Sequence, residues 1–216
     1  MRLLGPFPAS CLITEGVLTP RNYVANHAAV IESIRLAVDD GVGLVQIRER
    51  ELGGRHLFEL AVKVREVLSG LDALILVNDR ADVAAAARVD GVHLRETSLT
   101  PNVVREAFGE DFVIGVSRHS VAGAESAKAL GADIIFFGPV FESPGKGKPL
   151  GVGTLRQACD AVHETPVFAL GGIEASNVDL AIGAGASGVA AIRAFHSGRD
   201  RRAILKSLDA RPALLR

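Results

Sequence analysis

Eight short apolar runs, separated by helix-like segments, constrain the fold of this 216-residue chain more than any other feature. The runs are almost solidly apolar and rich in β-branched residues, which is typical of parallel strands covered by helices. They span residues 11–14, 44–47, 74–77, 91–94, 113–116, 134–140, 167–170 and 188–192. Strands that alternate with helices at this spacing predict a parallel sheet.

Helical signals fill several of the segments between the runs. Residues 56–68 place their apolar side chains on one face at a period of 3.6. Residues 121–130 end at Gly131, a residue type that often ends a helix. Further helices are predicted over residues 82–89, 153–162, 177–182 and 201–208.

Eight strand–helix units predict an α/β fold, a single-domain (β/α)8 TIM barrel over residues 1–216. The alternative is an open, doubly wound sheet. That fold favours a GxGxxG motif after the first strand, and residues 11–17 contain none. No linker, charge block or low-complexity stretch indicates a second domain.

Composition excludes several classes of partner. The formal charge is −1, from 24 basic and 25 acidic residues, so the chain lacks the basic surface expected for nucleic-acid binding. No run approaches the roughly 18 apolar residues of a membrane span. Cys11 and Cys159 are far apart in sequence and form no CxxC pair, which favours a reducing, cytoplasmic location.

Polar residues at the carboxyl ends of the strands are the candidate site, because barrel chemistry lies there. In the second strand Gln46, Arg48 and Arg50 share one face, which we expect to point into the barrel. Arginines inside a barrel require an anionic partner. They would either pair with a neighbouring carboxylate such as Glu49 or clamp a phosphate.

The third and fifth strands also end in polar residues. Asn78 and Asp79 follow the third, and Asp79 could hold a metal, pair with an arginine or cap a helix. Ser117 and His119 follow the fifth, and His119 is a candidate acid or base. Ser120 is predicted to cap the next helix, which leaves Ser117 and His119 free for chemistry.

Three features near the last strands suit an anion. The long loop over residues 138–151 is rich in Gly and Pro and carries Ser143 and Lys146, as binding loops or lids often do. Gly171-Gly172 after the seventh strand allows backbone amides to approach a phosphate. Arg193 follows the eighth strand, and barrels often bind phosphate at these two loops.

Seven motifs run in order along the chain: QIRER, LVNDR, DGVHL, IGVSRHS, FFGPVFESPGKGK, FALGGI and GASGVAAI. Taken together, they resemble the sequence pattern of the thiamine phosphate synthase/TenI family. The resemblance implies a (β/α)8 barrel that acts on small phosphorylated heterocycles. The synthase joins an aminopyrimidine pyrophosphate to a thiazole phosphate with Mg2+, whereas the TenI-type tautomerase aromatises a thiazole phosphate carboxylate.

The resemblance assigns roles to individual residues. Gln46, Arg48, Asn78 and Lys146 match the pyrimidine pyrophosphate end of a synthase site, and Asp79 matches a ligand of Mg2+.

The remaining assignments concern the ring and the second substrate. Ser117 matches a serine near the pyrimidine, and Gly171-Gly172 matches the loop that binds the thiazole phosphate. His119 matches the acid/base of the tautomerase, although synthases also carry histidine there.

Three departures from the synthase pattern bear on the reaction. Arg50 stands where synthases have Lys, and Arg193 stands where they have Ser. Ser98 replaces the second carboxylate that holds Mg2+, and Glu96 is the nearest substitute in sequence.

Asn78-Asp79 and the start of the long loop nevertheless favour the synthase narrowly. The tautomerase and a non-catalytic thiazole-phosphate binding protein are the alternatives. A homodimer is left open.

Overall fold

A computed structural model describes residues 9–209 of the chain. Its eight strands are all parallel to their neighbours and close into a barrel in chain order, with the last strand paired to the first. The strands are β1 (Ala9–Ile13), β2 (Leu44–Ile47), β3 (Leu74–Asn78), β4 (Gly91–Leu94), β5 (Val113–Arg118), β6 (Ile134–Phe137), β7 (Val167–Leu170) and β8 (Gly188–Ala191). The predicted (β/α)8 barrel is therefore confirmed, and the open sheet is wrong because the sheet has no free edge. The ends of the predicted domain, residues 1–8 and 210–216, lie outside the described residues.

Helices surround this barrel. They are α1 (Tyr23–Asp39), α2 (Gly54–Val67), α3 (Ala81–Ala87), α4 (Pro101–Phe108), α5 (Val121–Ala129), α6 (Gly151–Ala161), α7 (Val178–Gly183), α8 (Arg193–His196) and α9 (Gly198–Asp209). Ser120 caps α5 as predicted, since its hydroxyl accepts a hydrogen bond from the Gly123 N–H at 3.1 Å. The short α8, directly after β8, was not predicted from the sequence.

Alternate strand residues fill the inside of the barrel and separate it from the larger core beneath the helices. The buried apolar side chains of the interior are Cys11, Ile13, Leu44, Leu74, Leu76, Val113, Ile134, Phe136, Phe168 and Ala190. Gly115 shares this layer because a Cβ there would lie 2.9 Å from the Phe136 ring. The Phe136 and Phe168 rings thus close the interior below the carboxyl end of the barrel, which leaves that end for polar residues.

Strand β6 is shorter than predicted, ending at Phe137 rather than at residue 140. Pro139 has no N–H with which to continue the ladder. The chain still follows β7 for a short distance, since Val140 N–H bonds to the Leu170 carbonyl at 2.9 Å. The loop then closes on itself where Leu150 N–H bonds to the Pro139 carbonyl at 2.8 Å. The Gly/Pro-rich loop therefore rises from a fixed base beside β7.

Over residues 9–209, no helix combines the length and the apolar character that crossing a membrane requires.

Candidate active site

Paired polar side chains line the barrel mouth, which we define as the carboxyl ends of the strands with the turns that follow. Between β2 and β3, Gln46 Nε2 donates to Asn78 Oδ1 at 3.0 Å. Gln46 is only 2% exposed, and its Oε1 has no partner among the described residues. A buried acceptor without a partner is uncommon in proteins. This one lies on the interior face, as the strand periodicity predicts for Gln46.

The next pair links β4 to β5. His93 is 2% exposed, its ring lies 4.4 Å from the Phe136 ring between centroids, and its Nε2 is 2.7 Å from Ser117 Oγ. Burial lowers the pKa of His93 to about 3, so the imidazole is neutral at ordinary pH.

The tautomer of His93 follows from the neighbouring atoms. Its Nδ1 has no hydrogen-bond partner among the described residues. We therefore assign the proton to Nε2, because Nδ1 then carries an unpaired lone pair rather than a buried N–H without an acceptor. Ser117 then accepts from His93, and its own hydroxyl hydrogen is available to a bound molecule.

Asp79 is held from three directions at the end of β3. Its carboxylate accepts hydrogen bonds on Oδ2 from Arg95 Nε, at 2.8 Å, and from Arg95 Nη2. Its Oδ1 accepts a hydrogen bond from the Ser98 hydroxyl. The backbone of Asp79 is left-handed at φ 63°, and its N–H bonds to the His93 carbonyl at 2.8 Å. The sequence leaves three roles open for Asp79, and the structure shows one of them, an ion pair with an arginine, Arg95.

The turn over residues 95–98 supplies both partners of Asp79. Ser98 N–H bonds to the Arg95 carbonyl at 3.1 Å, and Arg95 N–H bonds to Ser98 Oγ at 3.0 Å. This double link closes the turn directly after β4, so that the Arg95 and Ser98 side chains reach back to β3 together.

These contacts do not fit a magnesium site at Asp79. Mg2+ is usually bound by one or two carboxylates together with water and phosphate oxygens, but here both oxygens of Asp79 already accept hydrogen bonds from Arg95 and Ser98. Burial lowers the pKa of Arg118, and the neighbouring Glu96 carboxylate partly offsets that effect, so Glu96 is directed toward Arg118. Within residues 9–209, no group of three or more His, Cys, Asp or Glu side chains is placed to hold a metal.

The QIRER segment places its charges in different environments. Glu49 is 3% exposed and accepts hydrogen bonds from Leu18 N–H at 2.7 Å and Gly16 N–H at 3.2 Å. It therefore fixes the loop after β1, and the suggested Arg–Glu49 ion pair is wrong. Arg48 is half-buried beside that loop, and Arg50 is exposed in the turn after β2. Both guanidinium groups remain available to an anion.

The long loop and His119 lie on the opposite side of β5 from His93. His119 Nδ1 donates to the Gly138 carbonyl, which ties the exposed ring to the start of the loop. Ser143 is half-buried and Lys146 is exposed, and the Lys146 N–H bonds to the Ser143 carbonyl at 3.1 Å. The exposed Lys146 ammonium makes no hydrogen bond or ion pair with the residues that the structure describes.

Gly171 and Gly172 form a tight turn at the end of β7, with φ of 92° and 66°. A Cβ on Gly172 would lie 2.3 Å from the Glu142 carbonyl oxygen. Asn177 secures the turn from the other side, because its Nδ2 donates to the Gly172 carbonyl at 2.8 Å. Only glycine permits both this backbone conformation and this close approach.

Arg193 begins α8 after β8 and has an exposed side chain. His196 positions the helix, since its Nε2 donates to the Ile13 carbonyl at 3.1 Å and its Nδ1 accepts from Ser33 Oγ at 3.0 Å. Helix α8 is therefore anchored to β1 and α1, and it places Arg193 directly after the carboxyl end of β8.

Two cavities lie at the other end of the barrel. One of about 690 Å3 is lined by residues around the end of α2 and the start of β3, including Arg65 and Asp90. The other, of about 340 Å3, lies near Cys159 and Ser187 below β7 and β8. Neither reaches the polar pairs at the mouth. We favour the mouth as the site because the amino-terminal end of such barrels usually serves stability.

Sequence reasoning missed Arg95, which stands directly after β4 as Asp79 stands directly after β3. The sequence feature that could have indicated this pair is a carboxylate after one strand and a cation after the next. Residues that follow adjacent parallel strands lie side by side at the same end of the sheet.

Comparisons with known proteins give a consistent result. The family model described as thiamine monophosphate synthase matches residues 16–195. A putative thiamine-phosphate synthase of Geobacter sulfurreducens is 44% identical over 183 residues, covering 83% of this chain and 84% of that protein. A thiamine-phosphate synthase of Methanoculleus marisnigri is 42% identical over 182 residues, covering 83% and 86%.

A solved structure agrees with these relatives. The thiamine phosphate pyrophosphorylase from Pyrococcus furiosus superposes with a TM-score of 0.78 at 30% identity, covering 92% of this chain and 94% of that one.

Proposed function

Because the chain belongs to the thiamine monophosphate synthase family, we propose that it joins an aminopyrimidine pyrophosphate to a thiazole phosphate, giving thiamine phosphate and pyrophosphate. The observation that carries this proposal is that the mouth offers two separate places for an anion. Arg48 and Arg50 follow β2, and a tight glycine turn follows β7. In the closed barrel, β8 and β1 separate these two strands on one side and β3 to β6 separate them on the other. A reaction between two phosphorylated molecules needs two such places.

At the first place, Arg48, Arg50 and Lys146 bind the pyrophosphate, and the paired Gln46 and Asn78 orient the molecule that carries it. At the second, the Gly171-Gly172 turn, with Arg193 nearby, binds the thiazole phosphate, and Ser143 is a further contact from the long loop.

The reaction needs positioning and charge stabilisation rather than a protein nucleophile. The bond between the pyrimidine methylene carbon and the pyrophosphate oxygen breaks, and the oxygen keeps the electron pair. The ring delocalises the positive charge left on carbon, and the lone pair of the thiazole nitrogen then forms the new C–N bond. Arg48 and Lys146 neutralise the charge that grows on the leaving group. Ser117, oriented by His93, donates its hydroxyl hydrogen to the pyrimidine.

Mg2+ is generally required in this family, and the resemblance assigns it to Asp79. The contacts of Asp79 do not fit that role, so the mechanism assigns charge neutralisation to the protein's own cations.

The tautomerase remains the second candidate because His119 lies at the mouth. The relatives named above are synthases and favour the coupling reaction. Under the synthase proposal, His119 positions the start of the long loop through Gly138 and moves no proton.

The test is release of pyrophosphate by purified protein supplied with both substrates. We expect release that depends on both substrates and that falls at least tenfold in Arg48→Gln and Lys146→Gln. Lys206→Gln, which removes an exposed cation from α9, is the control and should keep full activity. Absence of release, together with aromatisation of a thiazole phosphate carboxylate that His119→Gln abolishes, would instead establish the tautomerase.

The proposed partners are the two small phosphorylated heterocycles. A cytoplasmic location fits the free thiols of Cys11 and Cys159. A homodimer stays a prediction, which a molar mass measured by light scattering checks.

A further inference from the structure

We infer that Arg95, held in place by Asp79 and Ser98, is a pyrophosphate ligand that works in the position expected for a metal ion. The inference rests on the proposed function, which brings a pyrophosphate to this side of the mouth. It concerns what neutralises that group, which the family resemblance leaves to Mg2+.

The first argument is how the Arg95 guanidinium is used. It carries five N–H donors, and Asp79 accepts one from Nε and one from Nη2. The other edge of the fork, with Nη1 and the second Nη2 hydrogen, makes no hydrogen bond with the described residues. That edge has the geometry for bidentate contact with a phosphate. The Arg95 side chain is 56% exposed, so an anion can reach it.

The second argument is that several contacts fix the positions of both Asp79 and Arg95. Asp79 is held in a left-handed conformation by its N–H contact with the His93 carbonyl. Ser98 holds the second Asp79 oxygen and closes the turn that carries Arg95. A long exposed arginine normally loses side-chain entropy on binding. Here that cost is reduced because Asp79 already orients the guanidinium.

The third argument is charge. Asp79 alone would repel a pyrophosphate, and Arg95 cancels that charge while presenting further donors. Among the carboxylates near this side, Glu49 is turned to the β1 loop, Glu96 to Arg118, and Asp82 to Arg80. An anion at the end of β4 therefore meets the free edge of Arg95, and Arg48 and Arg50 follow β2, two strands away in the barrel.

The experiment titrates the full chain with inorganic pyrophosphate by calorimetry, once with EDTA and once with Mg2+. We expect wild-type affinity in EDTA to lie within threefold of that in Mg2+. Arg95→Gln should lower the affinity in EDTA at least tenfold, and Arg95→Lys should lower it less. Arg35→Gln is the matched control, because Arg35 is also an exposed arginine paired with carboxylates, but on the outer face of α1. It should bind like wild type.

The double variant Arg95→Gln with Asp79→Asn separates direct contact from charge unmasking. If Arg95 binds pyrophosphate, the double variant stays at least fivefold weaker than wild type. Recovery of wild-type affinity in the double variant would overturn the inference, because the single variant would then act only by exposing Asp79.

Titration with Mn2+, followed by its electron paramagnetic resonance signal, tests the metal directly. We expect no saturable binding to the free wild-type protein, and binding that Asp79→Asn abolishes would overturn the inference.

The proposed function and this inference can fail separately. Weak pyrophosphate binding by Arg95→Gln with no synthase turnover in wild type would refute the reaction but support the ligand. Synthase turnover with pyrophosphate binding that is unchanged in Arg95→Gln would refute the ligand alone.

Discussion

Replacing Gly172 with alanine tests whether the turn after β7 has the geometry described. The new Cβ would lie 2.3 Å from the Glu142 carbonyl oxygen and 2.8 Å from Phe141 Cβ, so the long loop would have to move. The backbone of Gly172 is also left-handed at φ 66°, which costs a residue with a Cβ about 1–2 kcal/mol. Overpacking of this kind costs about 1–3 kcal/mol.

The two costs together predict a loss of about 2–5 kcal/mol in the free energy of unfolding. For a chain of this size, each kcal/mol lowers Tm by about 2–4 °C. Thermal unfolding of Gly172→Ala should therefore occur about 4–20 °C below wild type. Binding of thiazole phosphate should weaken as well, because the turn that is displaced is its proposed site.

Two other glycines of the long loop separate the causes. Gly145 has a positive φ of 71° with open space around it, so Gly145→Ala carries only the backbone cost. Gly147 has open space and no positive φ, so Gly147→Ala should unfold like wild type. If Gly172→Ala unfolds at the same temperature as Gly145→Ala, the close approach between β7 and the loop is refuted.

Three further results are expected. Burial lowers the pKa of His93 to about 3 in the folded protein, whereas in the unfolded chain its pKa is about 6.5. Between these two pKa values the unfolded chain binds a proton at His93 and the folded protein does not. The free energy of unfolding therefore decreases as the pH is lowered from about 6.5 to about 3, by about 1.4 kcal/mol per pH unit. His93→Gln should remove this dependence in urea unfolding curves at pH 4–6, and an unchanged slope would contradict burial of a neutral ring. Burial raises the pKa of Cys159 to about 12 and that of Cys11 further, so neither thiol should react with Ellman's reagent at pH 8 until the protein unfolds; rapid labelling of the native protein would refute this. Glu49→Gln loses the charge that binds two N–H groups of the β1 loop and should destabilise the protein by about 1–3 kcal/mol, whereas the exposed control Glu51→Gln should not; equal urea midpoints would show that the carboxylate contributes nothing.

The barrel could be predicted because strand and helix leave different apolar periods in the sequence. The bounds of β2, β4 and β7 match their apolar runs, since these strands are buried on both faces. Strand β6 was predicted too long because Val140 continues the apolar run. The strand ends because Pro139 has no N–H to donate to the next strand. A pattern of apolar residues does not show this loss of a hydrogen-bond donor.

The side of the barrel on which a polar residue lies could be predicted from the sequence, but the contacts between these residues could not. Periodicity places Gln46 and Ser117 on the interior face, and the structure shows both facing the mouth. Which atoms meet across strands depends on register and on turn geometry, which one sequence does not display. The turn that brings Arg95 and Ser98 to Asp79 is an example. The sequence leads us to expect Asp79 as a metal ligand, whereas in the structure it is hydrogen-bonded to Arg95 and Ser98.

The most direct test of the central claim is a phosphorus-31 NMR spectrum of the protein incubated with aminopyrimidine pyrophosphate and thiazole phosphate. The account predicts that free pyrophosphate and thiamine phosphate appear in equal amounts and at equal rates, and that omission of either substrate prevents both. A spectrum in which both substrates persist unchanged, with the protein folded, would contradict the claim that this barrel mouth couples them.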